Sequence, residues 1–376
     1  MNIALISVTP PYRGGISLNS AILYRHLEAD HDVTVYNFSR QYPDFLFPGK
    51  TQYETGSPAV PIPTNRTIDS INPFTWLKTA RQIICQSPDL LIIRFWNPFF
   101  APLSGLIAGY VRKRLPQIHV MAICDNIIPH ESHWFDRPLI RYFFKRVHSF
   151  LVLSSSVEDD LKSLVIEPRY RKIFHPIYHV FGDPVQSEVA RKELGITSKN
   201  VILYFGYVRA YKGMDTLIRA SAGLKKILND FQVIAVGESY EGIEKYNKLI
   251  REYDVADVFR WENQYVPDDR VKLYFSAADI VALPYHSATQ SGIVPIAFHF
   301  NKPVVVTRVG GLPEVVTEGK TGFIIEPGDY ENLAKVLAEG FDNKLYSTME
   351  AHVDVEKKRF SWENMVQAIE ELVAES

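Results

Sequence analysis

Cysteine is almost missing from this chain: Cys85 and Cys124 are the only two in 376 residues. A disulfide framework is thereby excluded, and a reducing compartment such as the cytoplasm fits best. A surplus of one charge is missing too. The 41 lysines and arginines nearly balance 43 aspartates and glutamates, for a formal net charge of −2. No general electrostatic pull toward nucleic acid follows from that balance, although a local basic patch is compatible with it. No apolar run approaches the roughly 18 residues needed to cross a bilayer. The opening Met1-Asn2-Ile3-Ala4-Leu5-Ile6-Ser7 is too short and too poor in basic residues for a signal peptide. There is no short-period repeat, no low-complexity tract, and no histidine, cysteine and carboxylate cluster at zinc-ligand spacing. The reading is a cytoplasmic chain without a bound metal, with peripheral contact at the inner membrane face left open.

What is present is ordinary globular material, 46% hydrophobic and 22% charged, in a length that suits two domains. Short, continuous apolar runs alternate with helical patterns. Ile3–Val8, His31–Tyr36, Leu90–Phe95, His119–Ile123 and Ser149–Ser154 read as buried parallel strands, with a helix at Leu18–Glu28. A stretch from Glu167 to Ser198, rich in proline, histidine and glycine, shows no long periodic segment and reads as the inter-domain linker, centred on Pro176–Pro184. A second series follows: strands at Asn200–Phe205, Gln232–Gly237, Val258–Arg260, Ile280–Leu283, Pro303–Thr307 and Gly322–Ile325, with helices at Met214–Leu224, Asp268–Ser276 and Asn332–Gly340. An amphipathic helix opens at Ser361. Strand-helix alternation of this kind predicts an α/β fold of two Rossmann-like domains. The predicted boundaries are 1–180, 185–358 and a terminal helix at 361–376.

Several strand exits carry groups with chemical potential. Pro10-Pro11-Tyr12-Arg13-Gly14-Gly15 joins the first strand to the first helix, where Gly14 and Gly15 let a ligand approach the backbone and the helix offers free amides to an anion. A plain tight turn would look the same. The second domain opens similarly, with Gly206 followed by Arg209 and Lys212 before Gly213. A planar guanidinium fork and a mobile ammonium between glycines suit a diphosphate better than two idle surface cations. Pro284 to Ile293 gathers Thr289, Gln290, Ser291 and Gly292 at a strand-to-helix turn, fit for sugar hydroxyls, phosphate or ordinary helix capping. Val309-Gly310-Gly311-Leu312-Pro313-Glu314 is another glycine-rich exit, whose Glu314 can accept from ribose hydroxyls. In the first half, Cys124 to Glu131 leaves a strand end and supplies His130, an acid, base or donor with Glu131 to orient it. His175 and His179 are separated by Pro176 and read as linker residues.

These residues, in this order, resemble the GT-B-fold glycosyltransferases, in particular the family-4 retaining group. The resemblance rests on F-G-Y-V-R-A-Y-K-G, A-A-D-I-V-A-L-P-Y, K-P-V-V-V-T-R-V-G-G-L-P-E-V-V and E-G-K-T-G-F-I-I-E-P-G-D, and covers almost the whole chain. It implies two Rossmann-like domains facing a central cleft. It also implies a nucleotide-sugar donor held mainly by the C-terminal domain, an acceptor held mainly by the N-terminal one, and metal-independent transfer with retention. Gly15 then looks like the loop glycine beside the donor diphosphate, and Arg209 with Lys212 like the phosphate-binding pair. Tyr207 stands where the arginine is commonest. The larger departure is the family's glutamate pair: Thr289 and Ala297 occupy the two places, and neither is a carboxylate. Thr289, Gln290, Ser291, Gly292, Ile293 and Glu314 are the candidates to replace those contacts, with Gly14 and Gly206 at the phosphates. The family's strand-end histidine place lies nearer Cys124 and Asp125 than His130.

The expected reaction moves a sugar from a UDP- or GDP-sugar to a hydroxyl of a glycan or glycolipid acceptor. The donor is a substrate, and no further cofactor is expected. Rivals are an epimerase or hydrolase acting on the same donor, and a non-catalytic nucleotide-sugar sensor. A nicotinamide oxidoreductase is disfavoured because neither half carries G-x-G-x-x-G with an acidic residue about 20 positions on. Arg112-Lys113-Arg114 and the stretch from Arg137 to Arg146, interleaved with Trp134, Tyr142, Phe143 and Phe144, read either as an anionic-lipid surface or as an amphipathic helix with core aromatics.

Overall fold

The computed structural model describes residues 1–43, 51–54, 58–129, 133–239 and 241–375. Two compact units emerge. The first joins Met1–Phe174 to Trp362–Ser376, and the second is His175–Ser361. The boundary thus falls before the expected Pro176–Pro184 linker. That region is also not unstructured, since it holds a short strand at Tyr170–Lys172 and a helix at Ser187–Leu194.

The first unit is built on seven strands: β1 (Asn2–Ile6), β2 (Asp32–Arg40), β3 (Asn65–Asp69), β4 (Leu90–Phe95), β5 (His119–Cys124), β6 (Ser149–Val152) and β7 (Tyr170–Lys172). They form one parallel sheet in the order β3-β2-β1-β4-β5-β6-β7. Every residue of β4 and β5 is buried, the pattern required when helices cover both faces of a parallel sheet. Leu91, Ile93, Phe95, Val120 and Ala122 pack with Leu103 and Ile107 of helix α3 (Ala101–Arg114) in the core. The edge strands β3 and β7 escaped sequence reading because they are short, polar and exposed on at least one side.

Helix α1 (Gly15–Leu27) starts three residues earlier than its apolar pattern suggests, so Gly15 is its first residue. The terminal helix α13 (Trp362–Ala374) belongs to this unit. Trp362 is buried and stacks on His26 of α1 with ring centroids 5.4 Å apart. Glu370 meets His31 at 3.0 Å, and Arg169 donates to the carbonyl of Leu372 at 2.8 Å.

The second unit has six parallel strands: β8 (Asn200–Phe205), β9 (Phe231–Val236), β10 (Phe259–Glu262), β11 (Ile280–Leu283), β12 (Val304–Thr307) and β13 (Gly322–Ile325). Their order is β10-β9-β8-β11-β12-β13. Helix α7 (Met214–Leu224) and helix α11 (Tyr330–Asp342) cover one face through Leu217, Ile218, Ala220, Leu333 and Leu337. Both sheets reverse winding direction once, between β1 and β4 in the first and between β8 and β11 in the second. In open α/β sheets such a switch point leaves a crevice outside the carboxyl ends of the strands, where ligands bind.

Candidate active site

The cation loop lies at the switch point of the second sheet. It leaves β8 at Gly206, runs through Arg209 and the single helical turn Ala210–Lys212, and enters α7 after Gly213. Gly213 has φ +68°, and a Cβ there would overlap the carbonyl oxygen of Pro284 at the exit of β11. Only glycine fits both constraints. The close approach brings Tyr285 within reach of the loop: the Lys212 ammonium lies 5.7 Å from its ring centroid. A Cβ built on Gly206 would sit 3.5 Å from Lys212 Nζ and 3.3 Å from Ile293. Gly206, Lys212 and Ile293, chosen from sequence, therefore converge.

Lys212 is half-buried and has no ion-pair partner among the described residues. Burial, reinforced by the neighbouring Arg209 charge, brings its pKa down to about 8. Tyr285 and Tyr204 are buried alongside, and burial pushes both phenols well up, so they stay neutral donors.

The second loop of the site leaves β11. Thr289, Gln290, Ser291, Gly292 and Ile293 are all partly buried here, ahead of helix α10 (Ile293–His299). Ser291 Oγ accepts from the amide of Ile293 at 3.2 Å and lies 3.3 Å from the hydroxyl of Tyr285. The glycine-rich exit of β12 packs directly upon this loop. The amide of Gly311 donates to the carbonyl of Thr289 at 2.9 Å, and a Cβ on Gly310, at φ +48°, would overlap the carbonyl oxygen of Ala288. Glu314 follows in a single turn, Pro313–Val315, tied down where Arg359 donates to its carbonyl at 2.9 Å.

In the first unit, Gly14 (φ +116°) and Gly15 stand at the N-terminus of α1, at that sheet's own switch point. A Cβ added at either would meet nothing within 4 Å, so the space beside this backbone is open. Beneath it lies a pair that sequence reading missed. Arg94, at the end of β4, is fully buried and grips Asp125 through two bonds of 2.6 and 2.5 Å. The same guanidinium bonds Asn19 and, at 3.2 Å, Ser20 of α1. A charged residue inside the otherwise apolar run Leu90–Phe95 was the available signal. Cys124, next to Asp125, is wholly buried and its thiol is pushed well up. His130 and Glu131 lie outside the described residues.

No group of three or more metal-ligating side chains occurs among the described residues, and none of their helices is long and apolar enough to cross a membrane. The basic segment divides. On helix α4 (Asp136–Phe144), Phe143 and Phe144 are core residues, whereas Tyr142 is 38% exposed and Trp134, just before the helix, 88%. The Arg146 guanidinium lies 4.0 Å from the Tyr142 ring centroid.

Comparison with known proteins bears on this geometry. Residues 186–359 match the family described as "Glycosyl transferases group 1". The D-inositol 3-phosphate glycosyltransferase of Corynebacterium efficiens is 31% identical over 311 residues, covering 77% of this chain and 71% of its own. That of Corynebacterium aurimucosum is 32% identical over 203 residues, or 52% of this chain and 48% of its own. The chain thus spans about half the length of the latter relative. Among solved structures, sucrose-phosphate synthase of Thermosynechococcus elongatus superimposes with a TM-score of 0.76 at 20% identity, and Anabaena HepE in complex with UDP with 0.77 at 17%, each over 100% of both chains. These two likenesses show the fold, a pair of Rossmann-like domains of the GT-B class. With one relative 31% identical across most of both chains, and with residues 186–359 matching the family model, the chain belongs to the group 1 glycosyltransferases.

Proposed function

We propose that this protein is a retaining, metal-independent glycosyltransferase that moves a sugar from a UDP- or GDP-sugar to a hydroxyl of a glycan or glycolipid. The observation that carries the reading is the setting of Lys212. Its ammonium is drawn into a glycine-bracketed loop at the switch point, beside Arg209 and above an aromatic ring, with no ion-pair partner among the described residues. Two cations in partial burial repel one another, and a diphosphate relieves both. Membership of the family supports the reading. So does a structural neighbour, HepE, which is bound to UDP in one structure and to UDP-glucose in another.

In the proposed reaction the acceptor oxygen bonds to the anomeric carbon as the bond from that carbon to the diphosphate breaks. The electron pair leaves with the diphosphate, and the acceptor proton passes to a leaving phosphate oxygen. Arg209 and Lys212 neutralise the charge that develops there. No protein nucleophile is required, which accommodates Thr289 and Ala297 in place of carboxylates. Gly206, Thr289, Gln290, Ser291, Gly292 and Ile293 would line the phosphates and sugar, Glu314 would take the ribose, and the backbone at Gly14 and Gly15 would offer amides to the diphosphate. His130 would serve the reaction as an acid, base or hydrogen-bond donor.

Contact with an anionic membrane face belongs to the same proposal. Trp134 and Tyr142 are both exposed, Arg146 lies over the Tyr142 ring, and the same stretch carries Arg137, Arg141 and Lys145, a composition suited to lipid headgroups. Co-sedimentation with phosphatidylglycerol vesicles that is lost in Trp134→Ala would support it, and no binding to such vesicles would remove it.

The reaction itself is tested by supplying UDP- and GDP-sugars with lipid-linked and soluble glycan acceptors, with and without chelator. Acceptor-dependent nucleotide release that ignores the chelator, with a product of unchanged anomeric configuration, is expected. Donor consumption without acceptor would point instead to an epimerase or hydrolase.

A further inference from the structure

We propose that His286 and Asp215 form a latch that fixes the spacing of the two donor-site loops, which makes both of them positioning residues for the nucleotide diphosphate. The inference rests on the donor-site reading above. The two loops leave β8 and β11, paired in the sheet but far apart in sequence. Their relative placement is therefore set by whatever crosses between them.

His286 crosses at two points. Its backbone amide donates to the carbonyl of Tyr211 at 2.7 Å, and its imidazole Nε2–H donates to Asp215 Oδ1 at 3.1 Å. Tyr211 immediately precedes Lys212, and Asp215 lies in the first turn of α7 just after it. One residue thus holds the cation loop on both sides of its lysine. On the opposite flank, the amide of Ala210 donates to Glu241 Oε1 at 2.5 Å. The backbone between Arg209 and Lys212 is consequently pinned from both directions, and the contact of Gly213 with Pro284 removes the remaining slack.

The latch is poorly placed to serve the fold. The His286 side chain is 38% exposed and that of Asp215 25%, and pairs with this much solvent contact add little to stability. A loop held in place before the ligand arrives lowers the ordering cost of binding, and small misplacements of a phosphate clamp are expensive.

The test is calorimetric titration of UDP and GDP into the full chain, with thermal unfolding run in parallel. His286→Ala is expected to weaken binding of the preferred nucleotide by about tenfold, the scale of one lost charge-assisted hydrogen bond, while the melting temperature moves by no more than about 2 °C. Asp215→Ala should match it, and the double variant should be no worse than either single one. His286→Gln, whose amide can still donate to Asp215, should recover most of the affinity. Binding by His286→Ala within about twofold of wild type would overturn the latch, as would additive losses in the double variant. An alanine variant that no longer folds would also overturn it, because the pair would then serve the fold. Wild-type protein that binds neither UDP nor GDP would instead overturn the donor-site reading, and the latch with it.

Discussion

The ammonium of Lys212 lies 5.7 Å from the ring centroid of Tyr285, across the switch point between β8 and β11. A cation over a phenol ring gains roughly 0.5–2 kcal/mol, a partial compensation for the water it has lost. The remaining deficit, sharpened by Arg209, is what brings the lysine to a pKa of about 8.

Nucleotide affinity should therefore depend on pH in a defined direction. Below pH 8 the free protein carries the ammonium, and binding is at full strength. As pH rises past 8 the free lysine loses its proton, and binding a diphosphate must first restore it. Affinity for UDP or GDP should fall by about tenfold between pH 7 and pH 9. The range above pH 7 also avoids the phosphate ionisation near 6. Calorimetric titration across that range checks this, and the dependence should vanish in Lys212→Met.

The glycines of the two units predict opposite outcomes. A Cβ at Gly310 would overlap the carbonyl of Ala288 in a left-handed backbone position, so Gly310→Ala must shift the Thr289–Gly292 loop. Strain of about 1–3 kcal/mol is expected, with a loss of nucleotide binding beyond tenfold or so. At Gly15 the added methyl meets nothing. Gly15→Ala should leave stability within about 1 kcal/mol of wild type and act only by intruding on a ligand. Urea unfolding and nucleotide titration on both variants separate the cases.

Acid should weaken the first unit through His119. Its imidazole is buried and bonded to Ser149 at 2.7 Å, and burial brings its pKa down from 6.5 to about 4, with His148 and Arg169 nearby adding to the effect. The unfolded chain binds the proton more readily, so stability is full above pH 6.5 and is lost as pH falls toward 4. The loss is on the order of 3 kcal/mol. Urea unfolding at pH 7.5 and 4.5, compared with His119→Gln, isolates this contribution from that of the carboxylates.

Removing Trp362 should release α13. The side chain is buried against His26, and Trp362→Ala is expected to cost about 3–5 kcal/mol. Hydrogen exchange over residues 362–375 should rise more than exchange in the second sheet.

Much of this was legible in the sequence because parallel strands covered on both faces read as unbroken apolar runs. Leu90–Phe95, Asn200–Phe205 and Ile280–Leu283 fall where the pattern puts them. The edges were not legible, since Asn65–Asp69 and Tyr170–Lys172 lack an apolar signature. Nor was the helix at Ser187–Leu194, where only Ala190 and Leu194 are buried and no long stripe forms. At the site, glycines and cations were visible because chemistry and backbone geometry both restrict them. Arg94 with Asp125, and His286 with Asp215, were not visible. Each pair joins residues distant in sequence, and only the strand order reveals which exits become neighbours.

The central claim is that the switch-point loops of the second unit hold a nucleoside diphosphate. Titration of UDP and GDP into wild type, Arg209→Ala and Lys212→Met tests it most directly. Saturable binding of one nucleotide to wild type, unaffected by chelator and weakened by about 10²-fold in either variant, is the predicted result. Equal binding by all three proteins, or none by wild type, would contradict it.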